Sequence, residues 1–200
     1  LAYRLSGDMD LLMRMRDAAI SKIEKALSLD PNDPFIHGSL SWALCLAGRP
    51  AEAMDHAKTA MRLDPINPDR YLYTIGVVQF SLGNMEEAAT ILEKALRANP
   101  EQTVAAGPLA AAYAQLGRSE EARAACETLR RDWGDAMFLV PGVMYNYPFK
   151  DRRVADSLAE GLKKAGMSGG VSDYIHVSKE DQITGDELRA FFYPSRTTGF

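Results

Sequence analysis

The chain has few of the features that mark catalytic or metal-binding proteins. Its 200 residues include two cysteines, Cys45 and Cys126, and three histidines. The cysteines form no CxxC pair, and the histidines share no metal-ligand spacing. The P-loop and dinucleotide-binding glycine motifs are absent as well. The glycine cluster GMSGG, residues 166–170, fits the letters of GxSxG, but no predicted strand precedes it, and we interpret it as a flexible linker. The sequence therefore predicts no catalytic residue, no metal site and no cofactor, and we expect both thiols to be buried in the core.

Basic clusters and long apolar runs are also missing. The net charge is -4, and Lys and Arg never occur more than two in a row, so nucleic-acid binding is not expected. The longest apolar run, residues 136–145, contains Pro141 and Gly142. It is about half the roughly 20 residues that a membrane-spanning helix needs. We expect no membrane insertion by this chain, and its compartment, cytoplasmic or periplasmic, stays open.

What the sequence does contain is a repeat of about 34 residues. Three similar phrases, KALSLDP, TAMRLDP and KALRANP, end at Pro31, Pro65 and Pro100. The phrases LAGRPAEA, SLGNMEEA and QLGRSEEA follow the same period through Gly48, Gly83 and Gly117. Two independent markers with one period indicate true repeats rather than three unrelated helical hairpins.

Each repeat predicts two helices joined at its glycine. Asp33 and Asn67 each precede a proline and are predicted to cap the first helix. The glycine then ends that helix in the left-handed conformation, and the second helix closes before the terminal proline. Pro108 lies inside one first helix, which we expect to begin late or to bend. Small residues recur where paired helices would approach each other: Ser41, Gly76 and Ala110 in the first helices, and Ala53, Ala88 and Ala122 in the second.

These features resemble the tetratricopeptide repeat family. The resemblance implies an all-α, right-handed α-solenoid of helix-turn-helix repeats with a C-terminal capping helix. We expect the solenoid to cover residues 1–166, with a half repeat at 8–31, full repeats at 34–67, 69–102 and 103–134, and a degenerate capping repeat at 136–166. Residues 167–200 are predicted to form a linker and a tail that is partly helical at 185–193.

The degenerate repeat has one broken half and one regular half. Its front holds Pro141, Gly142 and Pro148, so it can form at most short helical turns. Its back, DRRVADSLAEGLKKAG, carries an apolar stripe at helical spacing, with Leu158 at its centre. We therefore expect a surviving second helix that covers the last repeat, since stacked repeats need a terminal cap.

A weaker resemblance concerns the parent protein. YPFKD…LAEGLKKAGM after three such repeats is similar to the C-terminal half of bacterial class III adenylate/guanylate cyclases that carry this type of repeat. The first residue is Leu1 rather than Met, and both ends look cut. We expect a non-catalytic interaction or regulatory module of a larger bacterial signalling protein, with a nucleotide cyclase as the expected parent. The alternative is an oligomerisation or assembly scaffold of a multidomain protein unrelated to cyclases.

The resemblance also implies a concave groove lined by the first helices. An aromatic-rich groove with one arginine suits a peptide partner. Two kinds of occupant stay open: a protein or peptide partner, or cover by the chain's own tail, an adjacent domain or a sister subunit in a homodimer. Carried over position by position, the groove residues are Phe35, Trp42, Leu46, Arg70, Tyr73, Val77, Phe80, Ala111 and Gln115.

Overall fold

A computed structural model describes residues 16–133 and 140–168. The helices in these ranges are α1 Arg16–Leu29, α2 Pro34–Leu46, α3 Pro50–Leu63, α4 Leu72–Leu82, α5 Met85–Ala98, α6 Ala106–Gln115, α7 Ser119–Trp133, α8 Val140–Tyr145 and α9 Arg152–Lys164. Short 3₁₀ turns, Pro68–Tyr71 and Thr103–Ala105, precede α4 and α6. The predicted tail helix at 185–193 and most of the predicted linker lie outside the described residues.

The helices pair and stack in chain order. Helix α2 packs on α3, α4 on α5, and α6 on α7, while α1, α3 and α5 each also pack on the helix that follows. The fold is the predicted all-α, right-handed solenoid of helix-turn-helix repeats. No helix within the described ranges is both long and apolar enough to cross a bilayer.

The turns within the repeats confirm the predicted role of the glycines. Gly48, Gly83 and Gly117 have φ values of 81°, 84° and 76°, a conformation that residues with a Cβ rarely adopt. The residue after each glycine donates its N–H to a carbonyl five positions back, for example Asn84 to Gln79 at 3.0 Å. These bonds satisfy carbonyls that the helix end leaves without a partner.

The two predicted helix caps have different outcomes. The prediction for Asp33 is confirmed, because its Oδ1 accepts from the N–H of Phe35 at 2.7 Å. The prediction for Asn67 is wrong: its side chain makes no cap bond, and a 3₁₀ turn precedes the helix. The Asn67 side-chain amide instead donates to Asp64 Oδ1 at 3.0 Å. That local bond holds the side chain on the preceding turn.

The helix around Pro108 begins late, as predicted. Helix α6 begins at Ala106, so Pro108 is the third residue of its first turn. N–H groups in the first turn have no acceptor within the helix, and a proline there removes no helical bond. The 3₁₀ turn Thr103–Ala105 carries the chain into this shortened helix.

The repeats are held together at small residues. Ser41, Ala53, Ala88, Ala110 and Ala122 are fully buried. A Cβ added at Gly76 would lie 2.6 Å from Leu92 Cγ in the paired helix. The helices of a repeat therefore approach more closely than larger side chains would allow.

Both cysteines lie in the core, which confirms their predicted burial. The exposed fraction is 1% for Cys45 and 2% for Cys126. Burial raises the pKa of each thiol to about 12. The two groups are therefore neutral apolar packing groups at physiological pH.

The C-terminal unit consists of the short helix α8 and the amphipathic helix α9. Asp151 caps α9 by accepting from the N–H of Arg153 at 2.9 Å, and Leu158 and Leu162 are fully buried. Helix α9 packs on α6, the first helix of the third full repeat. The N–H of Val140 donates to the carbonyl of Ser168 at 3.0 Å, which joins the two ends of this unit.

Candidate functional site

The inner face is the surface of α2, α4, α6 and the 3₁₀ turn before α4 on which the predicted groove residues lie. Residues 146–151, which join α8 to α9, run across this face. We call them the closing segment. Their contacts reach back to α1 and α2, more than 100 positions earlier in the chain. The inner face is thus occupied by the chain itself.

Tyr147 anchors the closing segment. Its side chain is fully buried, and its ring lies edge-on to Trp42, with 6.2 Å between the ring centroids. Its hydroxyl donates to the carbonyl of Val104 at 2.7 Å and accepts from the hydroxyl of Tyr73 at 3.1 Å. Burial raises the pKa of Tyr147 and of Tyr73 well above the ordinary tyrosine value. Both phenols are therefore neutral hydrogen-bonding anchors.

The backbone of the closing segment is also bound to the solenoid. The N–H of Lys150 donates to the carbonyl of Leu46 at 2.8 Å. Leu46 is the last residue of α2, where carbonyls lack a partner within the helix. Arg16 Nε donates to the carbonyl of Pro148 at 2.8 Å. The solenoid thus supplies one acceptor and one donor to the backbone of the closing segment.

Helix α9 covers the part of the inner face that α6 contributes. Gln115 Nε2 donates to the carbonyl and to Oγ of Ser157, at 3.1 and 3.2 Å. A Cβ added at Gly161 would lie 2.6 Å from Ala111 Cα. A glycine is needed at this position because the backbones of the two helices nearly touch.

The predicted groove residues differ in how much solvent they meet. Those buried under the closing segment, α9 or neighbouring helices are Leu46, Val77, Phe80 and Ala111; those partly buried are Trp42, Tyr73 and Gln115. Among the nine, only Phe35 and Arg70 are exposed. The Arg70 guanidinium lies 4.8 Å from the centre of the Phe35 ring, a cation–π arrangement. We call this exposed pair the open end of the inner face.

Sequence reasoning missed the residues that fill the groove. The repeat period places Tyr147 and Phe149 only in a broken first helix and Lys150 at the turn after it. In the structure, the ring of Phe149 stacks on that of Tyr147, with 6.0 Å between the centroids. The available signal was an aromatic–proline–aromatic stretch in a region too broken to form a long helix. Apolar side chains without a helix face need another surface to cover them.

A pair of histidines lies apart from this site, between α2 and α3. His37 Nδ1 and His56 Nδ1 are 2.9 Å apart, and His37 Nε2 is 3.1 Å from the carbonyl of Pro31. Because a carbonyl only accepts, Nε2 of His37 carries its proton, and His56 donates to the other nitrogen. Burial, with the nearby His37 ring, lowers the pKa of His56. In the part of the chain that the structure describes, no group of three potential ligands is placed to hold a metal.

Comparison with known families matches the second half of the solenoid to a repeat family. Residues 79–135 match a sequence model described as tetratricopeptide repeat. These residues run from α4 through the end of α7.

Two curated relatives are also tetratricopeptide-type or assembly proteins by name. The chain is 31% identical over 137 residues to small glutamine-rich tetratricopeptide repeat-containing protein 2 of Mycosarcoma maydis, over 68% of this chain and 39% of that protein. It is 31% identical over 103 residues to the photosystem I assembly protein Ycf3 of Rippkaea orientalis, over 47% of this chain and 60% of that protein. The chain therefore spans less than two thirds of the length of either relative.

Solved structures show the same fold. A crystal structure of MamA protein superposes with a TM-score of 0.55 at 22% identity, covering 82% of this chain and 88% of that one. PilF of Pseudomonas aeruginosa gives a TM-score of 0.59 at 21% identity, covering 84% and 77%. Together with the family match, these findings support a tetratricopeptide-repeat domain, a module of the protein-interaction or assembly type.

Proposed function

We propose that this tetratricopeptide-repeat domain is a non-catalytic, regulatory protein-interaction module of a larger protein, with the inner face as its binding surface. One observation carries the proposal: the inner face already holds a non-helical segment of polypeptide. It does so through a buried tyrosine and through backbone bonds such as that from Lys150 to Leu46. A surface with this chemistry is suited to recognise peptide backbone and aromatic side chains.

The open end of the inner face is where a partner first makes contact. Phe35 is 44% exposed and is stacked with Arg70. Aromatic and arginine side chains are enriched among the residues that dominate binding energy in interfaces. An exposed pair of this kind next to a peptide-holding surface favours a protein ligand over a small molecule.

Selection from a displayed peptide library tests this proposal without knowledge of the partner. We expect selected peptides to lose at least about tenfold in affinity on Phe35→Ser or Arg70→Ala, as hot-spot residues do. Leu82→Ser is the matched control, because Leu82 is similarly exposed, at 40%, at the far end of α4. Peptides that bind all three variants equally well, or no enrichment at all, would contradict the proposal.

The parent protein is a more specific part of the proposal. We propose a bacterial signalling protein, namely a nucleotide cyclase, and this rests on the C-terminal sequence resemblance alone. The coding sequence upstream of Leu1 tests it. A cyclase domain there supports the parent, and a different domain removes it.

Assembly is the second candidate function. Ile66 is 87% exposed and Leu29 is 66% exposed, and both lie where one repeat joins the next. Exposed apolar side chains favour contacts with another protein surface, and one curated relative is named as an assembly protein. Light scattering tests this candidate: a stable dimer at micromolar concentration favours assembly, and a strict monomer contradicts it.

A further inference from the structure

We propose that the closing segment is an intramolecular ligand, which a partner protein replaces with its own tyrosine–proline–aromatic segment. This inference rests on the proposed function and names the ligand chemistry and the means of control. The inner face is then closed in the free protein and opens only for a ligand that reproduces these contacts.

The solenoid does not need the closing segment to pair its helices. Within the repeats the helices meet at small residues such as Gly76 and Ala88, which contact other helices of the solenoid. The closing segment joins the core through the side chains of Tyr147 and Phe149, and its polar contacts come from separate groups, among them Arg16 of α1 and Tyr73 of α4. Its displacement uncovers the inner face and takes Tyr147 and Phe149 out of the core, whereas the contacts between paired helices such as α4 and α5 do not involve it.

The contacts specify which side chains a replacement must carry. The pocket around Tyr147 offers the Val104 carbonyl as acceptor and the Tyr73 hydroxyl as donor. A phenylalanine in that pocket leaves both groups buried without this partner, and such loss is costly. The preference is therefore for tyrosine over phenylalanine at this position.

The two following residues are specified as well. The carbonyl of Pro148 accepts from Arg16, and the ring of Phe149 stacks on Tyr147. Proline suits the site because it has no N–H that would need an acceptor. The N–H of the next residue must reach the carbonyl of Leu46, as that of Lys150 does. The ligand is thus a non-helical segment with tyrosine, proline in a tight turn, an aromatic residue and one further free N–H.

Tethering explains why a partner must also use the open end. A segment on the same chain competes at an effective concentration of about a millimolar, so a free peptide with equal contacts displaces it poorly. Phe35 and Arg70 are left uncovered by the closing segment. A partner that binds this pair as well gains contacts that the closing segment lacks.

The test uses the peptide Asn-Tyr-Pro-Phe-Lys-Asp, with blocked ends and a fluorescent label, and the full chain carrying Tyr147→Ala. This substitution removes the anchor and frees the pocket. We expect the peptide to bind the variant at least about tenfold more tightly than the wild type, because the tethered competitor is weakened. The same peptide with phenylalanine in place of tyrosine should bind about fivefold more weakly.

Tyr71→Ala is the matched control for general destabilisation. Tyr71 is 4% exposed, and its hydroxyl bonds to Asp64 rather than to the closing segment. This variant should bind the peptide no better than the wild type. Equal binding by both variants, or none by a folded Tyr147→Ala protein, overturns the inference.

Hydrogen exchange on the wild type keeps the inference testable if Tyr147→Ala does not fold. We expect the Lys150 amide to exchange through a local opening that needs less free energy than exchange at Leu92 in the core of α5. If both amides exchange only through global unfolding, the inference is overturned.

A dimer in which two copies exchange closing segments also overturns it, since the ligand would then be a second copy. Peptide selection that depends on Phe35 would still support the proposed function in either case.

Discussion

The full repeats and the C-terminal unit pack in different ways, although one sequence period runs through both. In the repeats, alanines and Gly76 let long helices pair closely, and glycines with positive φ separate them. In the C-terminal unit, α8 is only six residues long, and the chain then turns back across the inner face. Periodicity therefore places an element along the chain, but side-chain size and helix breakers decide where it packs.

The largest predicted effect comes from a charge in the C-terminal unit. Leu158→Asp places a carboxylate at a fully buried position of α9. We expect the free energy of unfolding to fall by about 4 kcal/mol, measured by urea denaturation. Glu160→Asp is the control, because Glu160 is exposed on the same helix and should change stability little. Unchanged stability of Leu158→Asp would show that α9 does not cover the solenoid.

A smaller effect is predicted where α9 meets α6. Gly161→Ala places a methyl group 2.6 Å from the backbone Cα of Ala111, which cannot move as a side-chain end can. We expect a loss of about 2 kcal/mol from overpacking, although alanine normally stabilises a helix relative to glycine. Glu160→Ala, at the adjacent exposed position, should show no such loss. If Gly161→Ala stabilises the protein, the two helices do not approach this closely.

The tyrosines allow the two regions to be compared directly. Tyr147→Phe removes two hydrogen bonds at a fully buried site, and we expect a loss of roughly 1.5 kcal/mol. Tyr71→Phe in the repeats removes one longer bond, of 3.3 Å, to Asp64 and should cost less. Thermal melts of both variants measure the difference. Equal losses, or a larger one for Tyr71, would contradict the anchoring role of Tyr147.

The smallest predicted effect is a pH dependence located in the repeats. The pKa of His56 is lowered from 6.5, first by burial and then by the nearby His37, while Glu52, Asp55 and Glu24 oppose the shift. A lowered folded-state pKa means that the unfolded chain binds the proton more readily. The free energy of unfolding is therefore highest above pH 6.5, where His56 is neutral in both states. It falls as the pH drops below 6.5, because the unfolded chain then takes up the proton first.

Urea midpoints between pH 5 and pH 7.5 measure this dependence. We expect the midpoint to rise with pH across that window, and His56→Gln to flatten the rise. The acidic groups with lowered pKa values, Asp64 and Asp151 among them, titrate below this window. A wild-type midpoint that is constant with pH would contradict the arrangement of the two imidazoles.

Sequence was sufficient for the repeats because their structure is determined locally. The glycine turns, the Asp33 cap, the late start of α6 and the burial of both cysteines follow from propensities within a few residues. Asn67 shows the limit of prediction from local propensities, because its side chain bonds to the nearby Asp64 instead of forming the expected cap. Competition between two local bonds is not visible in the sequence.

Sequence was insufficient for the inner face because its contacts are distant in the chain. The groove residues share a face through the repeat period, and so they could be named in advance. The bonds from Tyr147 to Val104 and from Lys150 to Leu46 join positions 43 and 104 apart. No local pattern predicts such pairs. The aromatic residues of the closing segment indicate at most that it needs a surface to cover it, and not which surface.

The position of the closing segment is tested most directly by nuclear Overhauser effects between the ring protons of Tyr147 and the indole of Trp42. Selective labelling of the aromatic residues, with Trp42→Phe to assign the indole signals, makes the measurement specific. With 6.2 Å between the ring centroids in an edge-on arrangement, we predict clear cross-peaks in the free, monomeric protein. Their absence, with Tyr147 signals at the positions of an exposed tyrosine, would contradict a closed inner face.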